Sequence, residues 1–299
     1  MPGSLLSTEQ LTRQDITKIV HFFQKIKKLP EGEVPRILTN YWVALIFLEA
    51  STRTRISFYR AVKLLGGEPV DLFPESSSLK KGETLLDTLK TLEAEGFLYA
   101  VIRLSEEGVL QKIQPEVRLG IINAGEGKIQ HPTQAIGDWC TLKEVFPEEK
   151  SLNICFIGDT VSSRVFHSCG SLFSRMGCLV GICSPSELEP GRTTFPYLKF
   201  AYVQESMRWA DVIYILRPQV ERWKEEDREK FLSLTRAFQI HSIPEGKWVM
   251  HAGPFLRDVE IASSLVDSPQ SLIAQQVKNG LYARMALFFW LQGKDEILD

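Results

Sequence analysis

Val43-Ala44-Leu45-Ile46-Phe47-Leu48 contains no polar residue. A strand with one wet face alternates, so this unbroken run suits a strand buried on both faces, the kind found in parallel sheets covered by helices. A periodic segment follows it directly. Ile56, Tyr59, Val62 and Leu65 recur at helical spacing, Ser51 or Thr52 stands at the cap, and Gly66-Gly67 stops the helix. Apolar runs at 69–73, 97–104, 119–125, 153–157, 179–183, 211–216 and 248–251 are interleaved with amphipathic or apolar helical segments at 85–92, 136–145, 161–176 and 281–291. That alternation specifies an α/β chain, and 299 residues suffice for two domains, each a mostly parallel sheet flanked by helices. Upstream, Ser7 with Gln10 reads as a capping box opening a helix that continues through Leu11, Ile16, Val20 and Ile26.

The junction between the first strand and its helix is Ser51-Thr52-Arg53-Thr54-Arg55. A helix start leaves backbone N–H groups unpaired and carries the positive end of the helix dipole. Hydroxyls and guanidiniums gathered there make an anion site, and phosphate is the expected ligand. The net charge of -2 gives no overall electrostatic footprint for nucleic acid or an anionic membrane, so such a site must be local. No basic-then-apolar leader and no apolar run of about 18 residues is present, which points to a cytoplasmic protein. The five cysteines, Cys140, Cys155, Cys169, Cys178 and Cys183, lack paired metal-ligand spacing and read as buried thiols. Gly158 after the 153–157 run lacks the second and third glycines of a dinucleotide turn, so no nicotinamide cofactor is expected, nor any other cofactor or metal.

Further polar residues stand where strands of such a sheet end. Arg103 closes the 97–104 run, at the carboxyl end where ligands collect in α/β sheets. His131-Pro132-Thr133-Gln134 opens a helix, which lets His131 and Gln134 face one crevice. Arg217 and Gln219 follow the 211–216 run in an extended segment that aims both side chains the same way, an arrangement suited to a carboxylate. The backbone carbonyls near Gly253 and Pro254 suit an amide N–H₂. Residues 75–84, with three serines and two lysines, have the composition of a surface loop.

Phe47-Leu48-Glu49-Ala50-Ser51-Thr52-Arg53-Thr54-Arg55 resembles the carbamoyl-phosphate signature of the aspartate and ornithine carbamoyltransferases, and His131-Pro132-Thr133-Gln134 resembles a second motif of that family residue for residue. The resemblance runs over essentially the whole chain. It implies a carbamoyl-phosphate-binding domain over 1–135, an aspartate-binding domain over 136–280, and a C-terminal helix, 281–299, crossing back to the first. It assigns Ser51, Thr52, Arg53, Thr54, Ser77, Arg103, His131, Gln134, Gly253 and Pro254 to carbamoyl phosphate, and Lys81, Arg164, Arg217 and Gln219 to L-aspartate. Arg53, Thr54, Lys81, Arg103, His131 and Gln134 would act on the reaction itself.

The ornithine branch carries His-Cys-Leu-Pro and Ser-Met-Gly where this chain has His251-Ala252-Gly253-Pro254 and Arg217-Pro218-Gln219. An arginine repels ornithine's ammonium and attracts aspartate's second carboxylate. The implied reaction is therefore carbamoyl transfer from carbamoyl phosphate to L-aspartate, in de novo pyrimidine biosynthesis, with the two domains closing over the substrates. The resemblance also implies a homotrimer in which Ser77 and Lys81 reach a neighbour's site, and it leaves room for a regulatory chain or a dihydroorotase partner. The chain departs from the family's usual pattern at Ala50, Tyr59 and Ala252. Ornithine transfer, or a weakly active paralogue that binds carbamoyl phosphate or serves an assembly, are the alternatives.

Overall fold

The computed structural model describes residues 2–73, 81–148, 151–220 and 223–294. Contacts divide the chain into one unit of residues 1–140 with 278–299, and a second of residues 141–277. No helix among the described residues is long and apolar enough to cross a membrane.

The first unit holds β1 (Trp42–Phe47), β2 (Glu68–Leu72), β3 (Phe97–Leu104) and β4 (Gly120–Glu126), all parallel, in the order β2-β1-β3-β4. Strand β1 lies inside that sheet, which is why its sequence has no polar alternation. Around the sheet run α1 (Arg13–Lys28), α2 (Thr52–Leu64), α3 (Leu85–Ala94), α4 (Val109–Ile113) and α5 (Pro132–Val145), the last ending in the second unit. Ala44, Ile46, Leu89, Ala100, Ile102, Leu110 and Ile121 form one buried cluster between sheet and helices.

The amino-terminal helix starts later than the capping box at Ser7 suggests. Ser7 and Gln10 do form that box, but it closes a single 3-10 turn, Thr8–Gln10. Leu11 is then buried in extended conformation, and a second box, Thr12 with Asp15, opens α1.

The second unit holds β5 (Asn153–Gly158), β6 (Leu179–Cys183), β7 (Leu198–Lys199), β8 (Val212–Leu216) and β9 (Trp248–Met250), again all parallel, in the order β7-β6-β5-β8-β9. Its helices are α6 (Arg164–Arg175), α7 (Val203–Trp209), α8 (Arg228–Ala237) and α9 (Ser263–Val266). Phe156 of β5 stacks on Tyr214 of β8 at 5.0 Å and meets Phe166 of α6 edge-on at 5.2 Å, which fastens sheet to helix.

The final helix, α10 (Ile273–Gln292), begins before the apolar run at Leu281. Its first turns carry buried polar residues with partners distant in sequence. Gln276 Oε1 accepts from the His251 N–H at 2.9 Å, and Asn279 Oδ1 accepts from Lys27 Nζ at 2.7 Å. Its later turns pack on the first unit: Phe288 lies edge-on to Tyr99 and Phe58, Phe289 meets Phe22, and Trp290 Nε1 donates to Asp15 Oδ1 at 2.9 Å.

Each sheet has one place where the direction of strand addition reverses. From β1 the chain adds β2 on one side, then β3 on the other; from β5 it adds β6 and β7, then β8 on the other. In open parallel sheets the crevice at the carboxyl ends of such a strand pair is where ligands bind. The residues after β1 and β3, and after β5 and β8, stand at these two crevices.

Candidate active site

In the first unit, β1 ends at Phe47, which pairs with Arg103 of β3, and the Leu48 N–H donates to the Arg103 carbonyl at 2.9 Å. This register sets Arg103 beside the segment that leads into α2. Glu49, in that segment, approaches Arg103 Nε at 3.5 Å, with both side chains largely buried. A carboxylate there fixes the guanidinium's direction, a role the sequence did not single out.

Ser51 occupies the cap position of α2, yet its side chain makes no capping hydrogen bond. The first amides of the helix are thus not consumed by a serine oxygen, and Thr52 and Arg53 are exposed beside them while Thr54 is buried. Partial desolvation lowers the pKa of Arg53.

Arg55 is a correction to the cradle expected from sequence. Its Nε donates to Asp71 Oδ1 at 2.7 Å and its Nη2 to Asp71 Oδ2 at 3.1 Å, and the guanidinium lies 4.5 Å from the Phe73 ring centroid. The ion pair raises the Arg55 pKa. With its guanidinium held by Asp71, Arg55 is turned away from an anion beside Arg53 in this arrangement.

His131 precedes Pro132 at the start of α5, and its carbonyl accepts from the N–H groups of Gln134 and Ala135 at 3.1 and 3.2 Å. Its ring is buried, with Nδ1 3.4 Å from Thr133 Oγ1. Gln134 is partly exposed, and its Nε2 donates to Asp138 Oδ1 at 2.9 Å. Lys81 is exposed ahead of α3, whereas Ser77 lies outside the described residues.

In the second unit, Gly158-Asp159 turns the chain after β5 toward α6. Asp159 is 1% exposed and accepts from three donors: the Ser162 N–H at 3.0 Å, the Gln219 N–H at 3.1 Å and Trp223 Nε1 at 3.2 Å. Burial nevertheless raises its pKa. Asp159 thus ties the turn after β5 to the segment after β8, and no local pattern in the sequence announced it. In that segment Arg217 Nη2 donates to Gln219 Oε1 at 3.3 Å and Gln219 Nε2 to the Arg217 carbonyl at 3.3 Å, so the two side chains do lie together. Arg164 is the first residue of α6, 6% exposed, behind the Ser163 cap.

The turn after β9 is held by a buried histidine. His251 Nδ1 accepts from the Gly253 N–H at 2.9 Å, which leaves the proton on Nε2, 3.2 Å from Glu260 Oε1. Glu260 Oε1 also accepts from the Leu256 N–H at 2.7 Å. Gly253 and Pro254 are fixed between these anchors.

Two sequence models cover nearly the whole chain: "Aspartate/ornithine carbamoyltransferase, carbamoyl-P binding domain" over residues 4–144, and "Aspartate/ornithine carbamoyltransferase, Asp/Orn binding domain" over residues 150–291. The chain belongs to the aspartate/ornithine carbamoyltransferase family. Within that family it is 38% identical over 292 residues to an aspartate carbamoyltransferase catalytic subunit of Aquifex aeolicus, covering 96% of this chain and 99% of the relative. The aspartate transcarbamoylase of Trypanosoma cruzi, solved with carbamoyl aspartate and phosphate, superposes with a TM-score of 0.87 at 28% identity, covering 97% and 95% of the two chains. The ornithine carbamoyltransferase of Pyrococcus furiosus shares the fold, with a TM-score of 0.88 at 24% identity over 98% and 97% of the chains.

Proposed function

We propose that this family member transfers the carbamoyl group of carbamoyl phosphate to the amino group of L-aspartate, giving N-carbamoyl-L-aspartate and phosphate in de novo pyrimidine biosynthesis. The observation that carries the reading is the pair of cationic groups at the two strand-reversal points, Arg53 and Arg103 in one unit, Arg164 and Arg217 in the other. A phosphorylated donor needs one such group and a dicarboxylic amine the other.

Ser51, Thr52, Arg53 and Thr54 take the phosphate, with Ser77 joining them. Attack by the amine forms a C–N bond and breaks the bond from carbon to the phosphate oxygen. Negative charge gathers meanwhile on the carbonyl oxygen, where Thr54, Arg103 and His131 donate. Gln134 and the carbonyls near Gly253 and Pro254 orient the carbamoyl N–H₂, and the departing phosphate accepts the amine proton. Arg164, Arg217, Gln219 and Lys81 take the two carboxylates of aspartate. Positioning and electrostatics then suffice, without a covalent intermediate.

Arg217 favours aspartate over ornithine by charge. A colorimetric carbamoyl-amino-acid assay run with aspartate and ornithine in parallel tests this: product is expected with aspartate alone. Product with ornithine alone, or with neither, refutes it. The reading includes a homotrimer, supported by Ile56, Tyr59 and Phe73, which stay exposed around a groove of about 630 Å³ next to α2. Ser77 and Lys81 would complete a neighbour's site, so mixing Lys81→Ala with Arg53→Ala subunits should restore some activity. Hybrids without activity refute sharing. Five buried, unbridged thiols suit a cytoplasmic location.

A further inference from the structure

We propose that Asp138 sets the polarity of the Gln134 amide, so that Gln134 offers a ligand only its oxygen and selects a carbamoyl N–H₂ over a methyl group of the same size. The inference rests on the proposed role of Gln134 toward the carbamoyl group.

A glutamine amide has two ends of nearly equal shape and opposite hydrogen-bonding character, and nothing intrinsic decides which one faces a ligand. Residues four apart on a helix lie on one face, and Gln134 and Asp138 of α5 are such a pair. Gln134 Nε2 donates to Asp138 Oδ1 at 2.9 Å. A carboxylate only accepts, so the reverse orientation would set oxygen against oxygen. Among the described residues Gln134 Oε1 has no donor, and the side chain is partly exposed, so Oε1 is the end presented.

Asp138 is 0% exposed, and a buried carboxylate needs a counter-charge. The Arg284 guanidinium of α10 attracts this carboxylate. This guanidinium is buried too: desolvation pushes its pKa down to about 10, and the attraction of Asp138 opposes that fall. Arg284 Nη1 donates to the Gly280 carbonyl at 2.7 Å, and the guanidinium lies 5.0 Å from the Phe58 ring centroid. Small residues meet where the two helices face each other, Gly137 of α5 against Gly280 and Ala283 of α10. A Cβ on Gly137 would stand 3.7 Å from the Gly280 Cα, and one on Gly280 would strike Arg284 Nη1 at 2.6 Å. The C-terminal helix thus acts, through Arg284 and Asp138, on which atom Gln134 shows.

The test is Asp138→Asn, whose own N–H₂ accommodates either orientation of Gln134. Dissociation constants are measured calorimetrically for carbamoyl phosphate, for acetyl phosphate, which replaces the N–H₂ by a methyl, and for inorganic phosphate. Carbamoyl phosphate is expected to weaken roughly tenfold, the loss of one correctly oriented hydrogen bond, while the other two stay within about twofold. Because Asp138→Asn removes a negative charge that attracts Arg284, Asp138→Asn/Arg284→Met is run beside it, and Gln134→Ala sets the floor of discrimination. The same collapse of the ratio is expected in the double variant. Equal weakening of all three ligands, or an unchanged ratio in both variants, overturns the role of Asp138. A wild-type protein that fails to prefer carbamoyl phosphate over acetyl phosphate overturns the reading of Gln134 instead.

Discussion

Replacing Gly158 by alanine probes the link between the second sheet and its proposed chemistry. Gly158 ends β5 with φ +117, a conformation that L side chains rarely adopt, and it pairs with Leu216 of β8. An added Cβ would stand 2.7 Å from the Leu216 carbonyl oxygen, so one strand end must move. The backbone conformation alone costs about 1–3 kcal/mol, and with the strand displacement the loss should be about 2–4 kcal/mol. At roughly 3–4 °C per kcal/mol for a unit of this size, the melting temperature should fall by about 6–16 °C. Arg217 follows Leu216 directly, so the shift also moves the proposed carboxylate site. The KM for aspartate should rise at least about tenfold, while calorimetry should find phosphate, proposed to bind in the first unit, within about twofold of wild type. A melting point within about 2 °C of wild type, or phosphate weakened as much as aspartate, would refute the argument.

Arg53→Ala should lower kcat by about 10²–10³, as for loss of one preorganised donor, whereas Arg55→Ala, which breaks a partly exposed ion pair with Asp71 and a contact with the Phe73 ring, should keep kcat within about threefold and lose about 1 kcal/mol of stability. Equal kinetic defects in the two variants would contradict the division of the arginines seen here. Burial raises the Asp159 pKa in the folded protein, so the stability linked to this group is fully present below the unfolded carboxyl's value and is lost as pH rises through the folded one. The stability deficit of Asp159→Asn relative to wild type should therefore be larger near about pH 4 than at about pH 7. Urea titrations at both pH values check this, and a deficit that grows toward neutrality would reverse the assigned shift.

The strands and most helices were legible because burial on both faces leaves an unmistakable apolar run, as in Val43 to Leu48. The helix after Ser51 was legible from its glycine stop and from Val62 and Leu65, whereas Ile56 and Tyr59, read at the same spacing, stay exposed and Phe58 and Ala61 are buried instead. Legibility failed where a polar residue's partner is distant in sequence. Nothing in the sequence marked Gln276 and Asn279 as helical, and only their partners His251 and Lys27 explain why α10 extends through them. Arg55 looked equivalent to Arg53 until Asp71, from the neighbouring strand β2, claimed it. Glu49 lay inside the Phe47-to-Arg55 signature without a role of its own, and Asp138 and Asp159 carried no motif that marked them as parts of a site.

By itself the sequence determined that parallel sheets form and that cationic and hydroxyl side chains stand at particular strand ends, since both follow from local composition and from helix starts. It left open the lateral order of the strands, because a hydrophobic run records burial and not which neighbour it pairs with. The orders β2-β1-β3-β4 and β7-β6-β5-β8-β9 set Arg103 beside the segment after β1 and Arg217 beside the turn after β5. Hydrogen-bond pairing across a sheet is a relation between distant segments, and only the folded chain decides it.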